Sequence, residues 1–355
     1  MESDAPSRTP KPMPELEPSL AAFITRMPKV ELHVHLEGAV RPETLLELSQ
    51  NKHGLRHKVV EWIAARRGQR FRYRNFKEFL ASFGIISLLI ETPRDYALAT
   101  TRLIEWLAEQ NVLYAEIIFA AGVVLWKKQP VDAVFEAIAA AAQEAQARTG
   151  VQVQWIFDAT RHFGRDHVRK TAHWAARYRS QNVVGFGIGG DEAGGPARLF
   201  PDIFHEARDL GLHVVAHAGE ACGPESIRDA VELLGAERVG HGLTALKDAS
   251  VVAMLRERQI PLEVCPGSNV STGLVARFED HPLPKFLEAG LVVTLNSDDP
   301  AMFGTSLQQE FLEAARCFGL SRENLAELFR NAVRTSFLSE DEKRKLEEAF
   351  KLELF

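Results

Sequence analysis

Two histidines, His33 and His35, stand one residue apart inside the apolar run VELHVHLEGAV, from Val30 to Val40. A buried imidazole is costly unless its nitrogens find partners. On a strand, residues two apart leave from the same face, so this pair could hold one metal ion. Two core histidines bonded to backbone carbonyls would produce the same pattern. The ends of other apolar runs bear on the choice. One ends in AHAGE, with His217 and Glu220; another in GHG, with His241; a third in NSDDP, with Asp298 and Asp299. If the fold gathers these ends, nitrogen and oxygen donors converge in a set that suits Zn²⁺, which in catalytic sites keeps one position open for water. The remaining histidines, His53, His57, His162, His167, His173, His205, His213 and His281, fall on helical or loop patterns or at a strand start. Solvated or capping roles are expected of them, with His162, in DATRHFG, the one expected to line a pocket.

What must position these ends is a set of strands. The β-rich runs begin at Val30, Val112, Val151, Asn182, Leu212, Arg238, Ile260 and Leu291, and patterns of helical length lie between the later ones. Strand and helix repeated eight times predict an α/β fold, a parallel sheet closed into a (β/α)8 TIM barrel. The near-continuous apolar runs suit strands covered on both faces. Such a barrel collects residues from the C-terminal ends of different strands into one cavity. The stretch between the first two strands, Gly38 to Asn111, is far longer than one helix and reads as a helical lid inserted over that face. From Ser306 onward the chain reads as C-terminal helices packed outside the barrel. Residues 1–20 are polar and rich in proline, and a loose tail is expected there. No sharp linker or internal repeat follows, so residues 21–355 are expected to form a single barrel domain.

Composition narrows the function further. A net charge of −6 argues against a general nucleic-acid binder, and the basic cluster AARRGQRFRYR, Ala64 to Arg74, reads as a solvated surface. Three unevenly spaced cysteines, Cys222, Cys265 and Cys317, form no disulfide framework and fit a reducing cytosol. The N-terminus lacks the apolar core of a secretory signal, and no window approaches the ~18 apolar residues of a membrane span. The expectation is a cytoplasmic enzyme acting on a small molecule, with no nucleic-acid or membrane partner; the oligomeric state is not legible.

The motifs taken together resemble the adenosine deaminase family of the metal-dependent amidohydrolase superfamily. The resemblance runs through PKVELHVHLEGAVRPETL from Pro28, GFGIGGDE from Gly185, VVAHAGEACGPESIRDAV from Val214, ERVGHGL from Glu237, LEVCPGSNVSTG from Leu262, TLNSDDP from Thr294 and NAVRTSFLSEDEKRKL from Asn331. It implies one zinc per chain held by His33, His35, His217 and Asp298, and hydrolytic deamination at C6 of a 6-aminopurine nucleoside. By the same resemblance Glu220 is the proton shuttle and His241 orients and stabilises the attacking hydroxide. Asp299 and the backbone N–H of Gly190 would meet purine N7 and N3, with His35 also facing the substrate. Glu37 stands where the family usually has an aspartate that reaches the ribose 5′-hydroxyl. A glutamate there also occurs in relatives that deaminate free adenine, whereas CPGSNVSTG is closer to the nucleoside-type pattern. Adenosine-type nucleosides rank first as substrate, then aminodeoxyfutalosine, an adenosine with a bulky 5′ substituent, then adenine. Another mononuclear amidohydrolase is the wider alternative; the fourth strand, NVVGFGIGG, offers no lysine or carboxylate to bridge two metals, which favours a single metal. The H-x-E and P-C-x-x-C signature of the other zinc deaminases is absent.

Overall fold

The structure, a computed structural model, describes residues 15–50, 55–65 and 72–354. His53, most of the expected N-terminal tail and positions 66–71 of the basic cluster lie outside the described residues. Eight parallel strands follow one another around a barrel in sequence order. They are β1 (Lys29–His35), β2 (Val112–Phe119), β3 (Gln152–Thr160), β4 (Val183–Gly189), β5 (His213–Ala218), β6 (Arg238–His241), β7 (Leu262–Val264) and β8 (Val293–Leu295). All seven residues of β1 are buried, as a strand packed between barrel interior and outer helices must be.

The last two strands are shorter than their apolar runs suggest, for two local reasons. Pro266 opens the helix Pro266–Ser271 and ends β7, since a proline gives no ladder N–H but suits a helix's first turn. After β8, the side chain of Asn296 takes over a ladder position by accepting from the N–H of Leu32 at 3.0 Å. The seam between β8 and β1 is then stitched beyond the strand, where His35 donates to the carbonyl of Asp298 at 2.8 Å and Asp298 donates to the carbonyl of His33 at 3.0 Å. Helix Arg322–Thr335 packs across both strands of this seam, and Asn331 donates to the carbonyl of Val293 at 3.1 Å.

The insertion after β1 holds helices Pro42–Ser49, Leu55–Ala64, Phe76–Leu89 and Pro93–Glu109. They divide the work. Pro93–Glu109, started by a capping box between Thr92 and Asp95, packs against helix Val131–Thr149 and β2 as part of the outer ring. Phe76–Leu89, capped by Asn75 on the N–H of Glu78, roofs the C-terminal mouth of the barrel. Helices Leu307–Phe318, Arg322–Thr335 and Glu340–Leu354 complete the C-terminal part. Among the described residues no helix is long and apolar enough to cross a membrane.

Candidate active site

The barrel brings the strand-end residues together. His33 and His35 leave β1 toward the interior with ring centroids 5.3 Å apart. His217, on β5, stands with its ring 4.6 Å from that of His33, and its Nε2 lies 3.3 Å from His35 Nε2. Asp298 Oδ1 is 3.4 Å from His33 Nε2 and 3.3 Å from His35 Nε2. Donor atoms of His33, His217, His241 and Asp298 all lie within 4.8 Å of one another, as do those of His35, Asp298 and Asp299.

This cluster fits a metal ion on a specific count. His33 Nδ1 is 2.7 Å from Glu263 Oε2, so the ring's proton sits on Nδ1 and a bare Nε2 points into the cluster. That Nε2 is buried and has no hydrogen-bond partner, which is unfavourable unless a cation meets it. Glu263 is itself fixed, by Arg238 Nε at 2.5 Å, and Arg238 also pairs with buried Glu116. A carboxylate that orients a ligating histidine is the usual support of such a ligand. His217 is held well below the usual histidine range, first by burial and then by the neighbouring histidines, so its lone pair is free to bind. Three imidazoles and a carboxylate are the donor types zinc prefers.

Two site residues adopt backbone conformations that ordinary side chains avoid. His241 has φ +63° and Asp298 φ +63°, the left-handed region that costs of order 1–3 kcal/mol and concentrates at functional sites. Each conformation turns its side chain inward at the strand end. Glu220, in the loop after β5, is buried and sits 3.5 Å from His241 Nε2. Burial, then Asp298 and Glu192, push its carboxyl well above the ordinary range. Its loop is braced by Glu192, which accepts from the N–H groups of Gly219, Ala221 and Cys222 at 2.6, 2.8 and 2.9 Å and from the Ser226 hydroxyl. Burial and adjacent Asp298 likewise raise Asp299 well above its usual value. Asp299 sits against Gly38 so closely that a Cβ there would fall 1.7 Å from Oδ1.

A cavity of about 620 Å³ opens above this cluster, under the Phe76–Leu89 helix. Its floor is His35, Asp158, His217, Glu220, His241, Asp298 and Asp299; Gly190, with φ +94°, and His162 form one side. The outer walls are apolar: Phe79, Phe83, Leu88, Val123, Trp126 and Phe163, with Trp126 half-exposed and stacked on Phe163 at 5.5 Å. Glu37 stands apart from the other expected site residues. Its carboxylate is fully buried, accepts from the N–H of Ala120 at 3.3 Å, and lies behind that cavity-lining residue instead of among the lining groups. Burial raises it to about 7.

Asp158, Glu192, Glu263, Asn269 and buried His281 were not singled out from sequence as site groups. Asp158 had the same signal as the residues that were: an acid closing an apolar run. Glu263 had a weaker one, a lone charge inside the run IPLEVCP.

Comparison with known proteins agrees with this geometry. The sequence profile of the adenosine deaminase family matches residues 28–351. The chain is 37% identical over 332 residues to aminodeoxyfutalosine deaminase of Streptomyces coelicolor, spanning 92% of this chain and 84% of that one. It is 37% identical over 318 residues to adenine deaminase of Sinorhizobium fredii, spanning 90% and 96%. The fold superposes with TM-score 0.85 on the crystal structure of adenine deaminase from Arthrobacter aurescens at 29% identity, over 92% of this chain and 98% of that one. A Burkholderia ambifaria amidohydrolase solved with bound zinc gives 0.84 at 25% identity, over 96% and 93%. The chain therefore belongs to the adenosine deaminase family of the amidohydrolase superfamily, and it is a deaminase.

Proposed function

We propose that the protein removes the 6-amino group of a 6-aminopurine nucleoside by hydrolysis, with one zinc ion held by His33, His35, His217 and Asp298. The observation that carries this reading is the pairing, at one end of the cavity, of a metal-type cluster with a buried carboxyl, Glu220, 3.5 Å from His241 Nε2. When bound, the metal lowers the pKa of a coordinated water, so that a nucleophile exists near neutral pH. The chain's own residues do the rest. Glu220 donates its proton to N1 as water adds to C6 and takes up the proton that the water sheds; it then passes that proton to the departing amine and regains one from the C6 hydroxyl as ammonia leaves. Asp299, kept protonated, donates to N7, an acceptor. The N–H of Gly190 meets N3, where the absence of a side chain permits close approach. His241 stands beside Glu220, next to where the attacking oxygen must lie.

Among nucleosides, a large 5′ substituent suits the cavity better than a bare ribose. Some 620 Å³ is ample for a drug-sized ligand, and its mouth presents Leu88, Trp126 and Phe163 to whatever extends past the sugar. Aminodeoxyfutalosine, the substrate named for the Streptomyces relative, has such a substituent; free adenine leaves these walls uncovered. The test is kcat/KM for aminodeoxyfutalosine, adenosine and adenine side by side, with metal content by elemental analysis. Aminodeoxyfutalosine is expected to be preferred, with one equivalent of zinc. Activity on adenine alone overturns the nucleoside reading, and two equivalents overturn the single-metal one.

A further inference from the structure

Behind His241, on the side away from the cavity, lie two more buried polar side chains. Asn269 comes from the helix Pro266–Ser271, and His281 from the turn before the helix Leu283–Glu288. They form a chain of contacts: Leu283 N to His281 Nδ1 at 3.1 Å, His281 Nε2 to Asn269 Oδ1 at 3.2 Å, and Asn269 Nδ2 to His241 Nδ1 at 3.3 Å.

The polarity of this chain follows from its first member. A backbone N–H only donates, so His281 Nδ1 accepts. A neutral imidazole with an accepting Nδ1 carries its proton on Nε2. Burial holds His281 neutral, lowering it to about 3. Its Nε2–H needs an acceptor, so Asn269 must present Oδ1 to it and turn its NH₂ toward His241. That NH₂ only donates, so His241 Nδ1 accepts, and the proton of the neutral His241 ring lies on Nε2. The other end of the ring agrees independently. Nε2 faces Asp298 Oδ2 at 3.9 Å, a carboxylate oxygen that an N–H can meet and against which a bare nitrogen would turn its lone pair. His33 is the opposite case in the same cluster. There an acceptor, Glu263, stands behind Nδ1 and leaves Nε2 bare.

We infer that Asn269 and His281 are positioning residues that fix the proton of His241 on Nε2, so that His241 serves as a hydrogen-bond donor to the reacting oxygen and is excluded from the metal's ligands although it stands among them. The role at the reacting oxygen rests on the deaminase reading; the tautomer does not. Two histidines a few ångströms apart are thus assigned different tasks by what stands behind them.

The test is ¹⁵N NMR of the full-length, zinc-loaded protein labelled at histidine, with His241→Ala to identify the resonances. His241 is expected to show a protonated, pyrrole-type Nε2 and a pyridine-type Nδ1; a protonated Nδ1 overturns the inference. His281→Leu should leave the Asn269 amide unanchored and His241 in a mixture of tautomers. It should reduce kcat by about 10–100-fold with zinc content and KM little changed. His281→Gln, which puts an amide N–H where His281 Nε2 stands, should restore both readouts. A single Nε2–H tautomer persisting in His281→Leu overturns the part given to His281. Asn269→Asp exchanges the donor for an acceptor and should protonate Nδ1; an unprotonated Nδ1 there overturns the relay. Where a variant does not fold, the wild-type spectrum alone decides. A wild type with the assigned tautomer but no activity on any 6-aminopurine leaves the relay standing and removes the deaminase reading.

Discussion

Each side chain at the centre of this cavity is defined as much by the group behind it as by its own type. Glu220 and Asp298 are both buried carboxyls, yet one is pushed up by burial and neighbouring carboxyls while the other is drawn down by the imidazoles packed against it. Glu220→Gln should therefore keep full zinc content while kcat/KM falls by at least ~10²-fold, the lower range for general acid–base catalysis; wild-type turnover by this variant would remove Glu220 from the proton path. The support for His33 gives a different signature. Glu263→Gln weakens the charge-assisted hold on Nδ1, and zinc affinity, measured by competition with a chelator, should fall by about 10–100-fold. The sequence made the front of the site legible, because His33 and His35 share a face by strand alternation and His217, His241 and Asp298 close apolar runs. It did not make the back legible. Glu263 and Asn269 acquire their meaning only from partners 230 and 28 residues away, a distance no local pattern spans. Glu37 is a different case: β1 ends at His35 and the chain turns at once, so the strand pattern says nothing of where its side chain points, and its buried contact with Ala120 comes from that turn.

At the scale of elements, the barrel and its roof answer to different constraints. The eight strands were readable because each is a short run covered on both faces. The ends of β7 and β8 were not, since Pro266 starts a helix and Asn296 substitutes a side chain for a ladder partner. The insertion after β1 was readable as helical, but its division into a roof and an outer-ring helix depends on tertiary packing. The cavity mouth predicts how substrates are told apart. Trp126, half-exposed at the mouth and stacked on Phe163, touches only what extends beyond the purine in the proposed pose. Trp126→Ala should raise KM for a 5′-extended nucleoside by roughly five-fold, from the loss of about 1 kcal/mol of aromatic contact, and leave zinc content and adenine turnover unchanged. Equal effects on all substrates would show that Trp126 supports the fold of the mouth and takes no part in recognition.

For the whole molecule, the seam between β8 and β1 matters most. The backbone of Asp298 closes the ring against His33 and His35, and the side chains of the same three residues face the metal cluster. Removing the metal leaves those side chains to repel or rearrange at the seam, so amide hydrogen exchange at His35 and Asp298 should speed up on chelation while amides in β2 and β3 hold their protection. Uniform change across the barrel would mean that the metal stabilises the fold at large. The seam also orders events in time. Leu32 and Asn296, which meet there, are 264 residues apart, and contacts of such sequence separation form late. A nascent chain that has made β1 possesses half of a metal site and must wait for nearly the whole polypeptide before it owns the other half. Ion uptake during refolding is thus a clock: it should coincide with the slowest phase recovered by fluorescence, and a protein that has captured its ion has, by that fact, finished its ring.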